Sequence, residues 1–393
     1  MKKTVISIFL ILIFITGCTQ RQQETTDDNA IDAKIENTLS SMTIEEKIGQ
    51  MLIVSYRSTE ADTNLINILH DVKPGGFILF SENFKSYEQA SKMIDDIKST
   101  SDIPMFISVD QEGGKVQRLK ELEDSEVTII PSMNDLGKTN DKDLSYEVGR
   151  VVGEELRVFG INMDFAPSLD IYSNPENTVI GNRAFGSTSE VVSNMGLSFA
   201  KGLESTGVIP VYKHFPGHGD TKEDSHFTLP VVNKTKEELM NLELIPFKNA
   251  IDNGAEVIMI GHLSVPSITK DDTPASLSKE IITDLLKTEL GFKGLVITDA
   301  LNMGALTNNY SKKEIYIKAI NAGVDILLMA SPSKEAVMII KEAIVNREIS
   351  EEQINDSVSK ILKLKYEKIN EDNKYNKDYL GSKEHQEIIS KIK

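Results

Sequence analysis

Eight short apolar runs, each followed by a stretch with helical spacing, constrain this chain more than any other feature. They are Met51–Ser55, Gly76–Phe80, Met105–Val109, Met163–Ala166, Val208–Tyr212, Val257–Ile260, Leu295–Thr298 and Asp325–Met329. Several are nearly continuous in Val, Ile, Leu, Phe and Met. A strand with one face in water alternates apolar and polar residues, whereas a parallel strand covered on both faces does not. Eight such strands joined by helices make an α/β chain, and a (β/α)8 TIM barrel accommodates them. We therefore expect one barrel domain over residues 32–370. The competing architecture is an open doubly wound sheet, which the absence of a Gly-x-Gly-x-x-Gly turn after the first run disfavours. Two helix starts are legible: Thr43 with Glu46, and Ser350 with Gln353. The second opens a helix with Ile354, Val358, Ile361 and Leu362 on one stripe. Residues 371–393 are polar and are expected to form a loose tail.

The N-terminus reads as an address. Lys2 and Lys3 precede Val5–Ile15, which is apolar apart from Ser7 and too short for a comfortable membrane span. The run ends in Ile15-Thr16-Gly17-Cys18, which resembles the lipobox of bacterial lipoproteins. The resemblance implies a signal peptide over residues 1–17, lipidation of Cys18, and an extracytoplasmic protein anchored in the cell membrane. The alternative is an uncleaved signal anchor. Each buried lipid CH₂ contributes about 0.8 kcal/mol, so two or more acyl chains would hold the protein firmly. Residues 18–31 are rich in Gln, Thr and Asp and read as a flexible tether. Cys18 is the only cysteine, which excludes a disulfide framework or a cysteine-based zinc site within the chain. The net charge of −17 argues against nucleic acid as a partner, because phosphate contacts need a basic surface.

Barrel chemistry sits on the loops that follow the strands. Here those positions are repeatedly polar. Asp110 follows the third run within Asp110-Gln111-Glu112-Gly113-Gly114-Lys115-Val116-Gln117-Arg118, and Asp164 lies in the fourth. Lys213 and His214 end the fifth, His262 follows the sixth, and Asp299 follows the seventh in Ile297-Thr298-Asp299-Ala300-Leu301. One aspartate at a strand end is an ordinary helix cap; five runs ending this way point to a shared pocket. The densest stretch, Lys213–His226, holds three of the six histidines, and its glycines and proline make it a shaped loop. Two chemistries compete for it. His214, His218, Asp220, Asp224 and His226 are all metal-ligand types. Alternatively, Asp224 orients the imidazole of His226 in an acid/base pair suited to proton transfer near neutral pH. For His218 the plainer reading is a loop histidine satisfied by backbone carbonyls.

Together these segments resemble glycoside hydrolase family 3, in particular its bacterial β-N-acetylglucosaminidases, over residues 40–370. The resemblance is carried by Asp110–Gly114 with Arg118, by Gly181-Asn182-Arg183-Ala184-Phe185-Gly186, by Lys213–Thr221, by Asp224-Ser225-His226, and by Thr298-Asp299-Ala300-Leu301 with Met303. It implies the barrel independently of the strand count. It also implies that Asp299 is the nucleophile of a retaining mechanism, with His226 as acid/base and Asp224 as its orienting partner. Asp110, Arg118, Arg183, Lys213 and His214 would hold the terminal sugar. No cofactor and no metal is implied. The expected substrates are peptidoglycan-derived fragments and chitooligosaccharides, and a monomer is expected. The alternatives are a β-glucosidase or N-acetylglucosaminide phosphorylase of the same family, a metal-dependent hydrolase using the 214–226 cluster, and a sugar-binding lipoprotein without catalysis.

Overall fold

The computed structural model describes residues 29–123, 126–222, 225, 228–369 and 375–392. The expected signal peptide, the expected lipidation site Cys18, and the expected acid/base residues Asp224 and His226 lie outside these residues. A helix occupies 29–41, so the stretch read as a tether is already helical at 29–31.

All eight apolar runs contain strand. They form β1 (Leu52–Val54), β2 (Gly76–Leu79), β3 (Phe106–Val109), β4 (Met163–Asp164), β5 (Ile209–Pro210), β6 (Tyr212–Phe215), β7 (Val257–Ile260), β8 (Leu295–Thr298) and β9 (Leu327–Leu328). Every strand is buried along its length, as expected for strands covered on both faces. Every strand pairing is parallel, in the orders β5-β4-β3-β2-β1-β9 and β6-β7-β8. The second sheet meets the first along the Ile297–Ile326 bridge, with Thr298 N donating to Ile326 O at 3.1 Å and Leu301 N to Leu328 O at 2.9 Å. The result is a curled parallel sheet with helices outside it, consistent with a TIM-barrel-like fold.

The fifth run departs from its expected bounds in a way that matters. Ile209 N and Val211 N donate to Asn162 O and Asp164 O, each at 2.9 Å, as successive rungs onto β4. From Tyr212 the chain pairs with β7 instead and runs on through Phe215, so Lys213 and His214 lie inside a strand that extends past the apolar run.

The helix starts read at Thr43 and Ser350 both carry reciprocal capping boxes, with Glu46 and Gln353. The C-terminal tail is corrected. Over 375–392 it carries a 3₁₀ turn (Lys377–Tyr379) and a helix (Lys383–Ile389) that buries Ile388 and Ile389. His385, 1% exposed, is its pin. Nε2 lies 2.8 Å from Glu154 Oε2, and Nδ1 lies 3.2 Å from Glu155 Oε1, both on helix Lys142–Val158. Burial opposes a charge on this ring, but the two carboxylates outweigh it and raise its pKa to about 9. A polar composition does not reveal such a partnership, which is why the tail reads as loose. Among the described residues no helix is long and apolar enough to cross a membrane.

Candidate active site

Parallel strands all end on one face, so residues just past them converge. A cavity of about 430 Å³ opens there, within the usual size of small-molecule sites. It is lined by Asp110, Arg118, Arg183, Lys213, His214 and Asp299, which the sequence singled out, and also by Glu112, His218 and Ser225. Asp110 follows β3, Lys213 and His214 stand on β6, and Asp299 follows β8; Arg183 ends a 3₁₀ turn (Gly181–Arg183). Asp164 does not line the cavity. One of its oxygens accepts from Gln111 N at 2.9 Å, the other is buried without a partner, and burial pushes its pKa up to about 8.

The floor is a network of charges around Glu112, a residue to which sequence reasoning gave no role although it stood inside the Asp110–Gly114 motif. Glu112 is 2% exposed. Arg183 grips it with both arms, Nε to Oε2 and Nη2 to Oε1, each at 2.7 Å. Lys213 Nζ lies 2.5 Å from Glu112 Oε1 and 2.8 Å from Asp110 Oδ1. Arg118 reaches the other Asp110 oxygen at 3.4 Å. Burial alone would raise the Glu112 pKa, but the Arg183 and Lys213 charges hold its carboxyl well below the usual range. The same carboxylates overcome burial at Lys213 and keep its amine charged. The chain delivers Glu112 here by a tight turn. Gly113 and Gly114 both take positive φ (103° and 57°), which L side chains avoid, and the amides of Glu112 and Gly113 close onto Val116 O at 2.9 and 3.1 Å.

Asp170 is the second partner that sequence reasoning missed. It is fully buried and accepts from four groups: His214 Nδ1 (2.6 Å), Ser168 Oγ (2.8 Å), His218 N (2.6 Å) and His214 N (3.4 Å). Burial works against its ionisation, but His214 outweighs it and keeps the carboxyl well below the usual range. This orientation commits His214 Nδ1 and turns Nε2 toward Arg183 Nη2, 3.5 Å away. The only available signal was a second aspartate a few residues after run four. His218 is satisfied by hydroxyls rather than by the expected carbonyls: Thr221 Oγ1 lies 2.8 Å from Nδ1, and Ser225 Oγ 3.2 Å from Nε2. Burial drops its pKa to about 4, so it is neutral at neutral pH. Ser225 itself is buried, and its carbonyl accepts from Ala305 N at 3.2 Å. The middle residue of Asp224-Ser225-His226 is thus fixed at the cavity wall.

Asp299 is half-buried at the end of β8, with its N–H on Ile260 O at 3.0 Å. Its Oδ1 accepts from Ala300 N at 2.7 Å. Burial raises its pKa, but His262, His214, the Ala300 amide and Lys213 together bring it below the ordinary value. An ionised carboxylate therefore faces the charged floor across the cavity, an arrangement suited to nucleophilic attack on a bound sugar.

The metal reading finds no support among the described residues. No group of three or more His, Cys, Asp or Glu could hold an ion there. Both nitrogens of His218 are taken by hydroxyls, and His214 is tied to Asp170. Asp220 is drawn away to Ser173 (3.5 Å) and Lys234 (3.6 Å).

Comparisons with known proteins bear on the family. Residues 43–364 match the model of the glycosyl hydrolase family 3 N-terminal domain. The chain is similar to beta-hexosaminidase A of Pseudoalteromonas piscicida, at 31% identity over 82% of this chain and 61% of that protein. It thus spans less than two thirds of that relative. It is also similar to a beta-hexosaminidase of Nitrosomonas eutropha, at 32% identity over 74% of this chain and 82% of the relative. Among solved structures, a family 3 beta-N-acetylglucosaminidase of a Paenibacillus species superposes with a TM-score of 0.83 at 37% identity, covering 90% of this chain and 68% of that one.

Proposed function

The chain belongs to glycosyl hydrolase family 3, and on that premise we propose that it is a retaining, exo-acting β-N-acetylglucosaminidase built on a single (β/α)8 domain. The observation that carries this reading is the placement of an ionised Asp299 in the same cavity as the Asp110–Glu112–Arg183–Lys213 network. That network offers fixed donors and acceptors to several hydroxyls of one sugar unit. Asp110 has lone pairs for hydroxyl donors, Arg118, Arg183 and Lys213 donate to hydroxyls or to the N-acetyl carbonyl, and His214 presents its Nε2 edge beside them.

In the first step an Asp299 oxygen attacks the anomeric carbon while the bond to the leaving oxygen breaks. His226, oriented by Asp224, passes its proton to that oxygen. In the second step water loses a proton to His226 and attacks the anomeric carbon, releasing Asp299 and a sugar of retained configuration. Ser225, anchored by His218 and Ala305 on the cavity wall, supports this assignment, because its two chain neighbours are Asp224 and His226.

We take the substrates to be wall-derived fragments ending in N-acetylglucosamine β-1,4-linked to N-acetylmuramic acid, with chitooligosaccharides as simpler analogues. The enzyme would act outside the cytoplasm as a lipid-anchored monomer held by Cys18. The names of the relatives support the hexosamine preference, and the sequence before residue 19 supports the address.

The test is direct. Asp299→Ala should abolish release of the chromophore from an aryl β-N-acetylglucosaminide. A fluorosugar that traps the glycosyl-enzyme should modify the peptide containing Asp299. Ordinary turnover by the variant, or an adduct on another side chain, would refute the reading. Products from purified wall fragments, with and without phosphate, separate hydrolysis from phosphorolysis. Sugar binding without product would indicate a binding protein.

A further inference from the structure

His262 follows β7 and is fully buried, yet no step above uses it. Both of its ring nitrogens are engaged: Nδ1 lies 2.8 Å from Ser276 Oγ, and Nε2 lies 3.0 Å from the carbonyl oxygen of Ala300. A carbonyl only accepts, so Nε2 carries a proton. A serine hydroxyl donates to a neutral Nδ1 or accepts from a protonated one, so both contacts survive whether the ring is neutral or cationic. Ala300 is also the residue whose N–H holds Asp299 Oδ1 at 2.7 Å. Ala300 therefore joins the two side chains, with its amide on the carboxylate and its carbonyl on the imidazole. The turn around it is held further by Met303 N on the same carbonyl (3.1 Å) and by Leu301 N on Leu328 O (2.9 Å).

We infer that His262 is a positioning residue for Asp299: it fixes the residue whose amide binds one carboxylate oxygen, and so keeps the other edge of the carboxylate turned into the cavity. This inference rests on the reading of Asp299 as the nucleophile. Attack requires the carboxylate oxygen in line with the departing bond, and a misplacement of about 1 Å can cost on the order of 10²-fold. The same imidazole lies with His214 and Lys213 among the groups that favour the anionic form of Asp299.

Two variants test this. His262→Leu removes both contacts. His262→Gln can still donate to Ala300 O and accept from Ser276, but cannot carry charge. The readouts are the rate at which a fluorosugar traps the glycosyl-enzyme, the inhibition constant of free N-acetylglucosamine, and the acid limb of kcat/KM. His262→Leu should trap about ten- to a hundredfold more slowly with inhibition by the free sugar changed less than about twofold. His262→Gln should recover most of the trapping rate, with its acid limb moved to higher pH. Trapping by His262→Leu at the parental rate would overturn the inference. So would equal losses of trapping and sugar binding in both variants, which would mean that the ring only supports the fold. Asp299→Ala is carried alongside: if it still turns over substrate, the nucleophile assignment fails instead, whatever the His262 variants do.

Discussion

Replacing Glu112 by Gln perturbs the floor of the cavity with almost no change of shape, and the structure sets the size of the effect. Glu112 receives three charge-assisted contacts, two from Arg183 at 2.7 Å and one from Lys213 at 2.5 Å. The amide would keep one acceptor oxygen and place an NH₂ against a guanidinium or an ammonium, donor facing donor. Lys213 retains Asp110 at 2.8 Å, but Arg183 loses its bidentate partner while mostly buried. Breaking one side of a buried ion pair costs about 3–5 kcal/mol, and the surviving Lys213–Asp110 contact places the expected loss near the lower end. Urea unfolding monitored by circular dichroism should show that loss as a lower midpoint with an unchanged slope. The contribution also has a defined pH window. The folded pKa lies below the unfolded one, so the stabilisation is full above the ordinary glutamate pKa and is lost only as pH falls through the depressed folded value. Parent and variant should therefore differ by a constant amount from pH 6 to 8 and converge in acid. A loss below about 1 kcal/mol, the scale of an exposed pair, would refute the claim that Glu112 holds the floor together.

The remaining predictions are local. Asp170→Asn should weaken binding of N-acetylglucosamine by roughly tenfold, the worth of one charge-assisted hydrogen bond, because His214 Nδ1 loses its acceptor; titration calorimetry reads this, and unchanged affinity would count against the His214 assignment. His385 has a raised pKa, so its contribution is complete below its unfolded value of 6.5 and is lost as pH rises through about 9. Hydrogen exchange over Lys383–Ile389 should therefore speed up between pH 7 and 10, after correction for intrinsic exchange, and His385→Ala should show the fast rate throughout. Lys365 is fully buried with one neutral partner, Gln50 Oε1 at 2.7 Å, and burial drops its pKa to about 7. The unfolded chain then holds more protons than the folded one between about pH 7 and 10.5, so this residue makes stability rise with pH across that window. Lys365→Met should flatten that slope, and an unchanged slope would show that the amine stays charged in the folded state.

The strands were legible because covering both faces removes polar positions from a run, and that pattern is written in one dimension. The fifth run shows the limit of such reading. Lys213 and His214 interrupt its apolar character, so the apolar run is bounded at Tyr212 with these two residues at its end. They are strand residues whose polar groups meet carboxylates at the cavity, Lys213 on Asp110 and the buried Glu112, and His214 on the buried Asp170. The C-terminal helix failed for a related reason. Its docking depends on His385 meeting Glu154 and Glu155 from more than 200 residues away in the chain, and a histidine in a polar segment carries no mark of that meeting.

The candidate site divides along the same line. Residues that line the cavity by virtue of standing at strand ends, such as Asp110 and Asp299, could be picked out because strand ends are recognisable. Residues that work by holding those groups could not. Glu112 and Asp170 look like the other carboxylates of the site, and only their burial and their fixed partners, Arg183 and Lys213 for one and His214 for the other, distinguish a holder from a group left free to meet a ligand. The distinction has a physical basis. Glu112 is buried with both oxygens gripped by Arg183, so it has little to gain from a sugar hydroxyl, since the exchange replaces charge-assisted contacts by weaker neutral ones, whereas Asp110 keeps an exposed edge beside its two cations. Asp299 has one oxygen on a backbone amide and lies partly exposed in the cavity. Its anionic form is favoured by His262, His214, the Ala300 amide and Lys213, and among the described residues no ion pair to it is formed. A nucleophile needs that condition: enough positive field to stay ionised at neutral pH, and no partner close enough to hold the electron pair it must donate.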